Sequence, residues 1–309
     1  MAIKIAVVNE SKNNETRVAV VPEIAQKLSS NNVTFSIEKN SGAASGFLDA
    51  DYPENACSFF DVASEALKDA DVLFKVNPPT SEEIGYMKKG ALAVSYMNPF
   101  QSGELIRNMA SSGIDAFSVE LIPRISRAQS MDALSSQASI AGYKAVILAA
   151  NNANKFFPML TTAAGTVRPA QTLIVGAGVA GLQAIATAKR LGSRVIAFDV
   201  RSSTKEQIES LGAQFLDTGI TAEGEGGYAR ELSAEELKTQ KEALSKAMGQ
   251  SDIVITTAAV PGKPAPKLID RNTVESMAPG SVIVDLGAIS GGNCELTKPD
   301  DIVDHGGVI

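Results

Sequence analysis

The sequence is short of cysteine and histidine, and it carries no excess of positive charge. Its two cysteines, Cys57 and Cys294, fit neither a CxxC motif nor a metal-binding pattern, so we expect no metal site and a reducing compartment. The formal net charge of -7 disfavours binding to nucleic acid or to an anionic membrane surface, since both need an excess of cationic side chains. These shortages favour an acidic cytoplasmic protein.

Long apolar runs and an export signal are also missing. The longest apolar stretch, 173–188, is broken by glycines and a glutamine and is shorter than a bilayer requires. The opening residues, MAIKIAVVNE, lack the basic and apolar regions of a signal peptide. We therefore expect a chain with no membrane span.

What the sequence does contain is a regular alternation of strand-like and helical patterns. A length of 309 residues with 44% apolar content is enough for two domains with sizeable cores. Strand-like runs occupy 3–8, 33–38, 71–76, 91–96 and 115–120. Amphipathic segments lie between them, for example 22–30 with Pro at its start and 103–113 with Gly at its end. This alternation predicts an α/β fold with mainly parallel sheets and flanking helices.

The change of pattern near residue 135 predicts a domain boundary. We expect an N-terminal α/β domain at 1–135 and a Rossmann domain at 136–309, joined by a long helix at 136–157. Apolar residues at 140, 143 and 147 would form the buried face of that helix. Residues 158–170 are interpreted as a loop, and the Gly-rich stretch 218–237 as either a mobile loop or a solvated linker.

A glycine motif gives the most informative ligand signal. A strand at 172–175 runs into Gly176, Gly178 and Gly181 in GxGxxG spacing, a helix follows, and a second strand ends at Asp199. The glycines suit a tight turn, the approach of a diphosphate and close helix packing, while Asp199 suits the adenosine ribose hydroxyls. This pattern predicts NAD(H) rather than NADP(H), although Arg201 could favour a 2′-phosphate. The alternative is a purely structural glycine turn.

Two later strands end in loops of small residues, at 251–269 and 280–295. Ligands of a doubly wound sheet bind beyond the carboxyl ends of its strands, which makes these loops candidates for the nicotinamide half. The candidate residues are Thr256, Thr257, Ala258, Ala259 and Leu286. The alternative is that small residues simply allow the loops to turn.

The polar segment RISRAQSMDALSSQ (124–137) stands directly before the long apolar helix. Together with VGAGVAGLQAIATAKRLGSRVIAFDVRSSTKEQIESLGAQF, GGYA and TTAAVPGKPAPKLI, it resembles the NAD(H)-binding domain I of the proton-translocating nicotinamide nucleotide transhydrogenase. The resemblance extends over essentially the whole chain. The polar segment is its most restrictive motif.

The resemblance implies a function shared between several components. In that family domain I binds NADH between its two subdomains and passes a hydride to NADP⁺ held by a separate domain III. A membrane domain II couples the transfer to proton translocation. The resemblance also implies a homodimer in the cytoplasm, peripheral to the inner membrane through its partner subunits.

The family's functional residues map onto the matching motifs. The polar segment contains Arg124, Gln129, Asp132 and Ser135. Gln129 would hydrogen-bond towards the nicotinamide ribose, and Arg124 and Asp132 would brace the nicotinamide ring. Tyr228 matches the tyrosine of a mobile loop. Positions that contact NAD in the family correspond to Val179, Asp199, Val200, Arg201, Gly227, Gln240 and Ala259. The alternative is a charged segment that caps the long helix through Asp132 or Ser135.

Alanine dehydrogenase shares this architecture and is the rival interpretation. The segment ESKNNETRVAVVPE with Arg17, and Lys75 in LFKVN, match that enzyme too. Oxidation of an amino acid also needs a proton acceptor beside the reacting carbon. The rival's histidine position carries Tyr96 or Met97, and its aspartate position carries Ser290 and Gly291. We therefore expect Arg17 and Lys75 to be salt-bridged.

Two further expectations remain. A non-catalytic NAD-binding module is the third possible function, and the single histidine, His305, is predicted to be an exposed loop residue. Family members continue beyond DDIVDHGGVI with a strand and with helices that return to the first domain. The sequence therefore predicts that these elements are missing from the chain or lost.

Overall fold

The computed structural model describes residues 2–11, 15–220, 232–259 and 263–309. Within it the chain divides into two compact units, Met1–Leu134 and Ser135–Ile309. Each unit is built on a parallel sheet with helices packed on it. The prediction of an α/β fold with two mainly parallel sheets is confirmed.

The first unit contains a six-stranded parallel sheet with the order β3-β2-β1-β4-β5-β6. Its strands are β1 Ile3–Val7, β2 Val33–Glu38, β3 Cys57–Phe60, β4 Val72–Phe74, β5 Leu92–Ser95 and β6 Asp115–Ser118. Five of them coincide with predicted strands. Edge strand β3 was missed, because four residues give too short a pattern to recognise.

The helices of the first unit begin and end at local signals. They are α1 Pro22–Ser29, α2 Ala63–Leu67, α3 Ser81–Tyr86 and α4 Gly103–Ser112. Pro22 starts α1, and the side chains of Thr80 and Glu83 form a reciprocal capping box at the start of α3. Gly113 ends α4 with a left-handed φ of 71°. The predictions at 22–30 and 103–113 are confirmed to within one residue.

The order of this sheet reverses between β1 and β4. Glu10 follows β1, and its buried carboxylate accepts hydrogen bonds of 2.8 Å from the backbone N–H groups of Val76 and Asn77, just beyond β4. Glu10 therefore bridges the two strand ends at the reversal point.

Helix α5, Ala133–Asn152, runs across the boundary between the two units and starts three residues before the predicted helix, and the sequence prediction was wrong in two further respects. The helix ends five residues early, where Asn151, Asn152 and Asn154 favour termination. The expected face is largely exposed, with Ile140 at 59% and Tyr143 at 51%.

Small residues form the buried face of α5 instead: Gly142, Ala145, Val146 and Ala149. A Cβ on Gly142 would lie 2.1 Å from the carbonyl oxygen of Ala180, so another backbone passes directly against the helix. This close approach selects small side chains over large apolar ones.

Residues 158–170 are not simply a loop, and that prediction was wrong. They contain an antiparallel hairpin of β7 Leu160–Thr162 and β8 Gly165–Val167. Gly165 turns it with a φ of 133°. Strands of three residues are too short to show a period of two.

The second unit is completed by a five-stranded parallel sheet with the order β11-β10-β9-β12-β13. Its strands are β9 Gln171–Val175, β10 Arg194–Phe198, β11 Gln214–Phe215, β12 Ile253–Thr256 and β13 Val282–Asp285, and its helices are α6 Val179–Arg190, α7 Lys205–Ser210, α8 Ala234–Gly249 and α9 Arg271–Glu275. Ile174 and Ile185 belong to one core, and Leu173 and Leu244 to another, on the opposite face of the sheet. The order reverses between β9 and β12, the place where doubly wound sheets bind ligands.

No helix in the described part of the chain combines the length and the apolar character needed to cross a bilayer.

Candidate functional site

The turn between β9 and α6 is built from the three glycines of the motif. Gly176 has a φ of 101°, and a Cβ on it would lie 2.4 Å from Oγ1 of Thr257. A Cβ on Gly181 would lie 1.8 Å from the carbonyl oxygen of Gly176. A Cβ on Gly178 would meet no described atom within 4 Å. The first and third glycines are therefore required by the fold, whereas the space at Gly178 is open to a ligand.

The start of α6 is suited to an anion. Gly178 occupies the N-cap, offers no side-chain cap, and no acidic residue stands in the first turn. The first N–H groups of a helix have no partner within the helix, and the helix dipole favours negative charge there. A diphosphate at this position would meet N–H donors and no carboxylate from the first turn of the helix.

Asp199 lies just beyond β10 and holds the turn from the neighbouring strand. Its buried Oδ2 accepts hydrogen bonds from the N–H of Ala177 at 2.7 Å and from Nη2 of Arg201 at 2.7 Å. Its Oδ1 accepts from the N–H and Nε of Arg201 at 2.9 and 2.8 Å. Burial raises the pKa of Asp199, but the hydrogen bonds from Arg201 and Ala177 outweigh it and lower the pKa overall. The carboxylate is thus ionised at neutral pH.

Gln240 contributes a buried acceptor from α8. Its side chain is 5% exposed, and its Oε1 has no hydrogen-bond partner within the described residues. A buried amide oxygen left without a donor is costly, so this atom fits a ligand that brings an N–H or O–H group. Val200, next to Asp199, is half-buried. Both residues were predicted cofactor contacts.

The candidates at the end of β12 divide into two groups. The hydroxyl of buried Thr256 donates to Asp285 at 3.1 Å, and that of Thr257 donates to the carbonyl oxygens of Val175 and Gly176. Both hydroxyls are thus used inside the protein. Of the remaining candidates, Ala259 is exposed, while Ala258 and, after β13, Leu286 are partly buried.

The polar segment of the first unit forms a short 3₁₀ turn, Ser126–Met131. Ala128 is buried and anchors it, while Arg124 and Gln129 are exposed. A cavity of about 350 Å³ is lined by Pro123, Arg124, Ile125, Ser126, Ala128, Gln129 and Asp132. The structure therefore brings Arg124, Gln129 and Asp132 to one cavity. Ser135 lies outside its lining, on α5 in the second unit.

Gly227 and Tyr228, the predicted loop residues, lie outside the described residues. Sequence reasoning also missed Asp285, whose carboxylate connects several loops at the ends of β12 and β13. An isolated aspartate at a strand end gives no distinctive sequence signal.

The residues shared with alanine dehydrogenase are ion-paired in the first unit, as predicted. Nη2 of Arg17 lies 2.8 Å from Oε2 of Glu15, and Nζ of buried Lys75 lies 2.8 Å from Oε2 of Glu83. The hydrogen bond from Arg17, opposed by burial and supported by Asn77, lowers the pKa of Glu15 to about 2.

The positions that would hold the rival's acid-base groups carry other chemistry. Met97 is buried after β5, and Ser290 and Gly291 lie at the end of the short turn that begins at Ala288. His305 is only partly exposed, with its Nε2 3.0 Å from Oε1 of Glu275, so the prediction of an exposed loop residue was wrong in the degree of exposure.

A pH dependence follows from the Glu15 ion pair. Because the pKa is lower in the folded state, the pair should stabilise the first unit above about pH 4.5, and this stabilisation should be lost as the pH falls towards about 2. Since Arg17 is partly exposed, we expect Glu15→Gln to cost about 1 kcal/mol at neutral pH, or about 3 °C in thermal midpoint. The difference should shrink in thermal scans between about pH 5 and pH 3. Glu54→Gln, at an exposed carboxylate, is the control; a constant difference would contradict the assignment.

Comparison with protein families assigns both halves of the chain. Residues 6–141 match the family described as alanine dehydrogenase/PNT, N-terminal domain, and residues 145–309 match the corresponding C-terminal domain. The chain is 45% identical over 312 residues to the first of the alpha-subunit polypeptides of the NAD(P) transhydrogenase of Rickettsia prowazekii (strain Madrid E). That alignment covers 99% of this chain and 82% of the relative.

Among solved structures, a transhydrogenase is more similar to this chain than an alanine dehydrogenase is. A transhydrogenase from Sinorhizobium meliloti is similar with a TM-score of 0.88 and 42% identity, over 99% of this chain and 84% of that one. An L-alanine dehydrogenase is similar with a TM-score of 0.82 and 26% identity, over 99% of this chain and 81% of that one.

Proposed function

Since this chain belongs to the alanine dehydrogenase/PNT family and is similar to its transhydrogenase alpha subunits, we propose that it is the NAD(H)-binding component of a proton-translocating transhydrogenase. It would bind NADH and deliver a hydride to NADP⁺ on a partner domain III, while a membrane domain II couples the transfer to proton movement. The observation that carries the proposal is the turn at Gly178, open to a ligand and adjoined by the ionised Asp199.

The second unit would hold the nucleotide by its adenosine and diphosphate parts. The N-terminus of α6 would receive the diphosphate, and Asp199 would exchange hydrogen bonds that it accepts from Arg201 for those of the ribose hydroxyls. Asp199 also disfavours a 2′-phosphate by charge repulsion, which supports NADH over NADPH. Gln240 would supply its buried oxygen to a donor on the nucleotide.

The proposed reaction requires no general acid or base from the protein. A hydride leaves C4 of the dihydronicotinamide and arrives at C4 of the NADP⁺ ring, giving NAD⁺ and NADPH without a proton being exchanged. Such a transfer depends on positioning and on exclusion of water. Arg124, Gln129 and Asp132 are the proposed positioning groups, with Ser135 and Tyr228 as further members carried over from the family.

The alanine dehydrogenase alternative has less support. That reaction needs a proton acceptor beside the carbon that loses hydride. The corresponding positions here carry Tyr96 or Met97, and Ser290 and Gly291. Arg17 and Lys75 are already paired with carboxylates.

The test is a reconstituted hydride transfer. The chain is mixed with a preparation of a transhydrogenase domain III, and reduction of an NADP⁺ analogue by NADH is followed optically. We expect turnover that requires both proteins and no amino acid. Reduction of NAD⁺ that depends on added alanine would instead support the rival. NADH binding without turnover in either assay would leave only an NAD-binding module.

The proposal also covers the oligomeric state and the location of the protein. We expect a homodimer that is cytoplasmic and reaches the membrane only through its partner subunits.

A further inference from the structure

The carboxylate of Asp285 joins three segments at the carboxyl end of the second sheet. Asp285 is the last residue of β13, and its Oδ1 accepts hydrogen bonds from Oγ1 of Thr256 at 3.1 Å and from the N–H of Gly287 at 2.9 Å. Its Oδ2 accepts from the N–H of Cys294 at 3.0 Å and from Oγ1 of Thr297 at 2.6 Å. One side chain thus fixes the end of β12, the loop after β13 and the segment at 294–297.

Asn293 extends this connection to the loop after β12. The side chain is 0% exposed, and its Nδ2 donates to the carbonyl oxygens of Ala258 and Pro266, both at 2.9 Å. Because both partners are carbonyl oxygens, only the amide nitrogen can face them, which settles the orientation of the amide. The neighbouring N–H, that of Cys294, is held by Asp285.

The backbone is closely fitted around these two side chains. A Cβ on Gly287 would lie 3.0 Å from Oδ1 of Asn293 and 3.1 Å from Oδ1 of Asp285. A Cβ on Gly292, which has a φ of 80°, would lie 2.9 Å from Oδ2 of Asp285. The loop between β13 and Asn293 therefore has glycines where the carboxylate and amide leave no room for a side chain.

We propose that Asp285 and Asn293 are positioning residues that set the nicotinamide-binding loops. Asp285 fixes the root of the loop that carries Leu286, and Asn293 fixes the loop that carries Ala258 and Ala259. Asn293 is too deeply buried to touch a ligand, and the carboxylate of Asp285 accepts four hydrogen bonds from the protein itself, so both act through the loops that they hold. The inference rests on the proposed NADH site, and it assigns the nicotinamide half to these loops.

A control residue distinguishes a positioning role of Asp285 from a purely structural one. It lies at the opposite end of the strands of the same sheet. Asp252 precedes β12, and its Oδ2 accepts hydrogen bonds from the N–H of Gln171 and from Nζ of Lys155, both at 2.8 Å. Loss of either carboxylate removes hydrogen bonds to a strand end. Only the loss of Asp285 should affect the nicotinamide half.

The experiment compares binding of NADH, followed by its fluorescence, with binding of ADP-ribose, followed by calorimetry. ADP-ribose contains the adenosine and diphosphate parts but no nicotinamide. We expect the wild type to prefer NADH, and Asp285→Asn to reduce this preference about tenfold with ADP-ribose affinity unchanged. Asn293→Ala should act in the same direction. Asp252→Asn should lower the thermal midpoint and leave both affinities as they were.

Thr297→Val removes one of the four hydrogen bonds to Asp285. It replaces Asp285→Asn in the experiment if that variant does not fold. We expect a smaller reduction of the preference for NADH. Equal weakening of both ligands, an unchanged preference in the variants, or no preference in the wild type would each overturn the inference. Absence of hydride transfer with the NADH preference intact would instead refute the proposed reaction and leave the role of Asp285 standing.

Discussion

Replacing Gly181 by alanine is expected to abolish NADH binding and to destabilise the second unit. The new Cβ would lie 1.8 Å from the carbonyl oxygen of Gly176, so α6 has to move away from the turn. Overpacking of this kind costs about 1–3 kcal/mol or more. Displacement of the helix N-terminus should weaken NADH binding at least about 100-fold, equivalent to about 2.7 kcal/mol. Thermal denaturation and NADH fluorescence measure the two effects.

Gly178→Ala is the matched variant and separates folding from binding. Gly178 has a φ of -76°, which alanine adopts without strain, and its Cβ would meet no described atom within 4 Å. We expect a normal thermal midpoint together with a large loss of NADH affinity, because the methyl group occupies the space proposed for the diphosphate. Normal NADH binding by this variant would show that the diphosphate lies elsewhere.

Replacing Gln129 by alanine is expected to lower the rate of hydride transfer about 100-fold without unfolding the protein. Gln129 is exposed on its 3₁₀ turn, so its loss removes no core contact. A misplacement of about 1 Å between reacting groups is enough for a 100-fold loss of rate. The measurement is single-turnover transfer from NADH to an NADP⁺ analogue in the presence of domain III.

Ser130→Ala is the control for Gln129, since Ser130 is an exposed neighbour outside the lining of the cavity. It should transfer hydride at the wild-type rate. ADP-ribose affinity should be unchanged in both variants. A Gln129→Ala protein that keeps more than about a third of the wild-type rate would remove Gln129 from the reaction.

The regions of the fold that were predictable depend on local patterns. Parallel strands buried on both faces give apolar runs, and the glycine motif with Asp199 identified β9, α6 and β10 together. The buried face of α5 was not predictable in this way. It depends on the backbone of Ala180 passing Gly142, a contact between segments far apart in the sequence.

The candidate site also contains both residues that local patterns identify and residues that depend on long-range contacts. The motif residues Gly176, Gly178 and Gly181 were identifiable because their spacing carries a known geometry. Asp285 was not, because its four hydrogen-bond donors come from separate positions between Thr256 and Thr297. Which strand ends and loops share one carboxylate is settled only when the chain is folded.

The bridge made by Glu10 in the first unit bears on which of the two sheets leaves room for an anionic ligand. Both sheets reverse their order in the way that creates a crevice for a ligand, at β1 and β4 in one and at β9 and β12 in the other. In the first, the protein's own carboxylate takes the backbone N–H groups that an anion would otherwise receive. In the second, of the N–H groups between β9 and α6 Asp199 takes only that of Ala177, and Gly178 with open space beside it follows at the start of α6. Among the described residues, the proposed dinucleotide therefore finds open space at the reversal point of the second sheet, whereas the corresponding place in the first sheet is closed by the protein's own carboxylate.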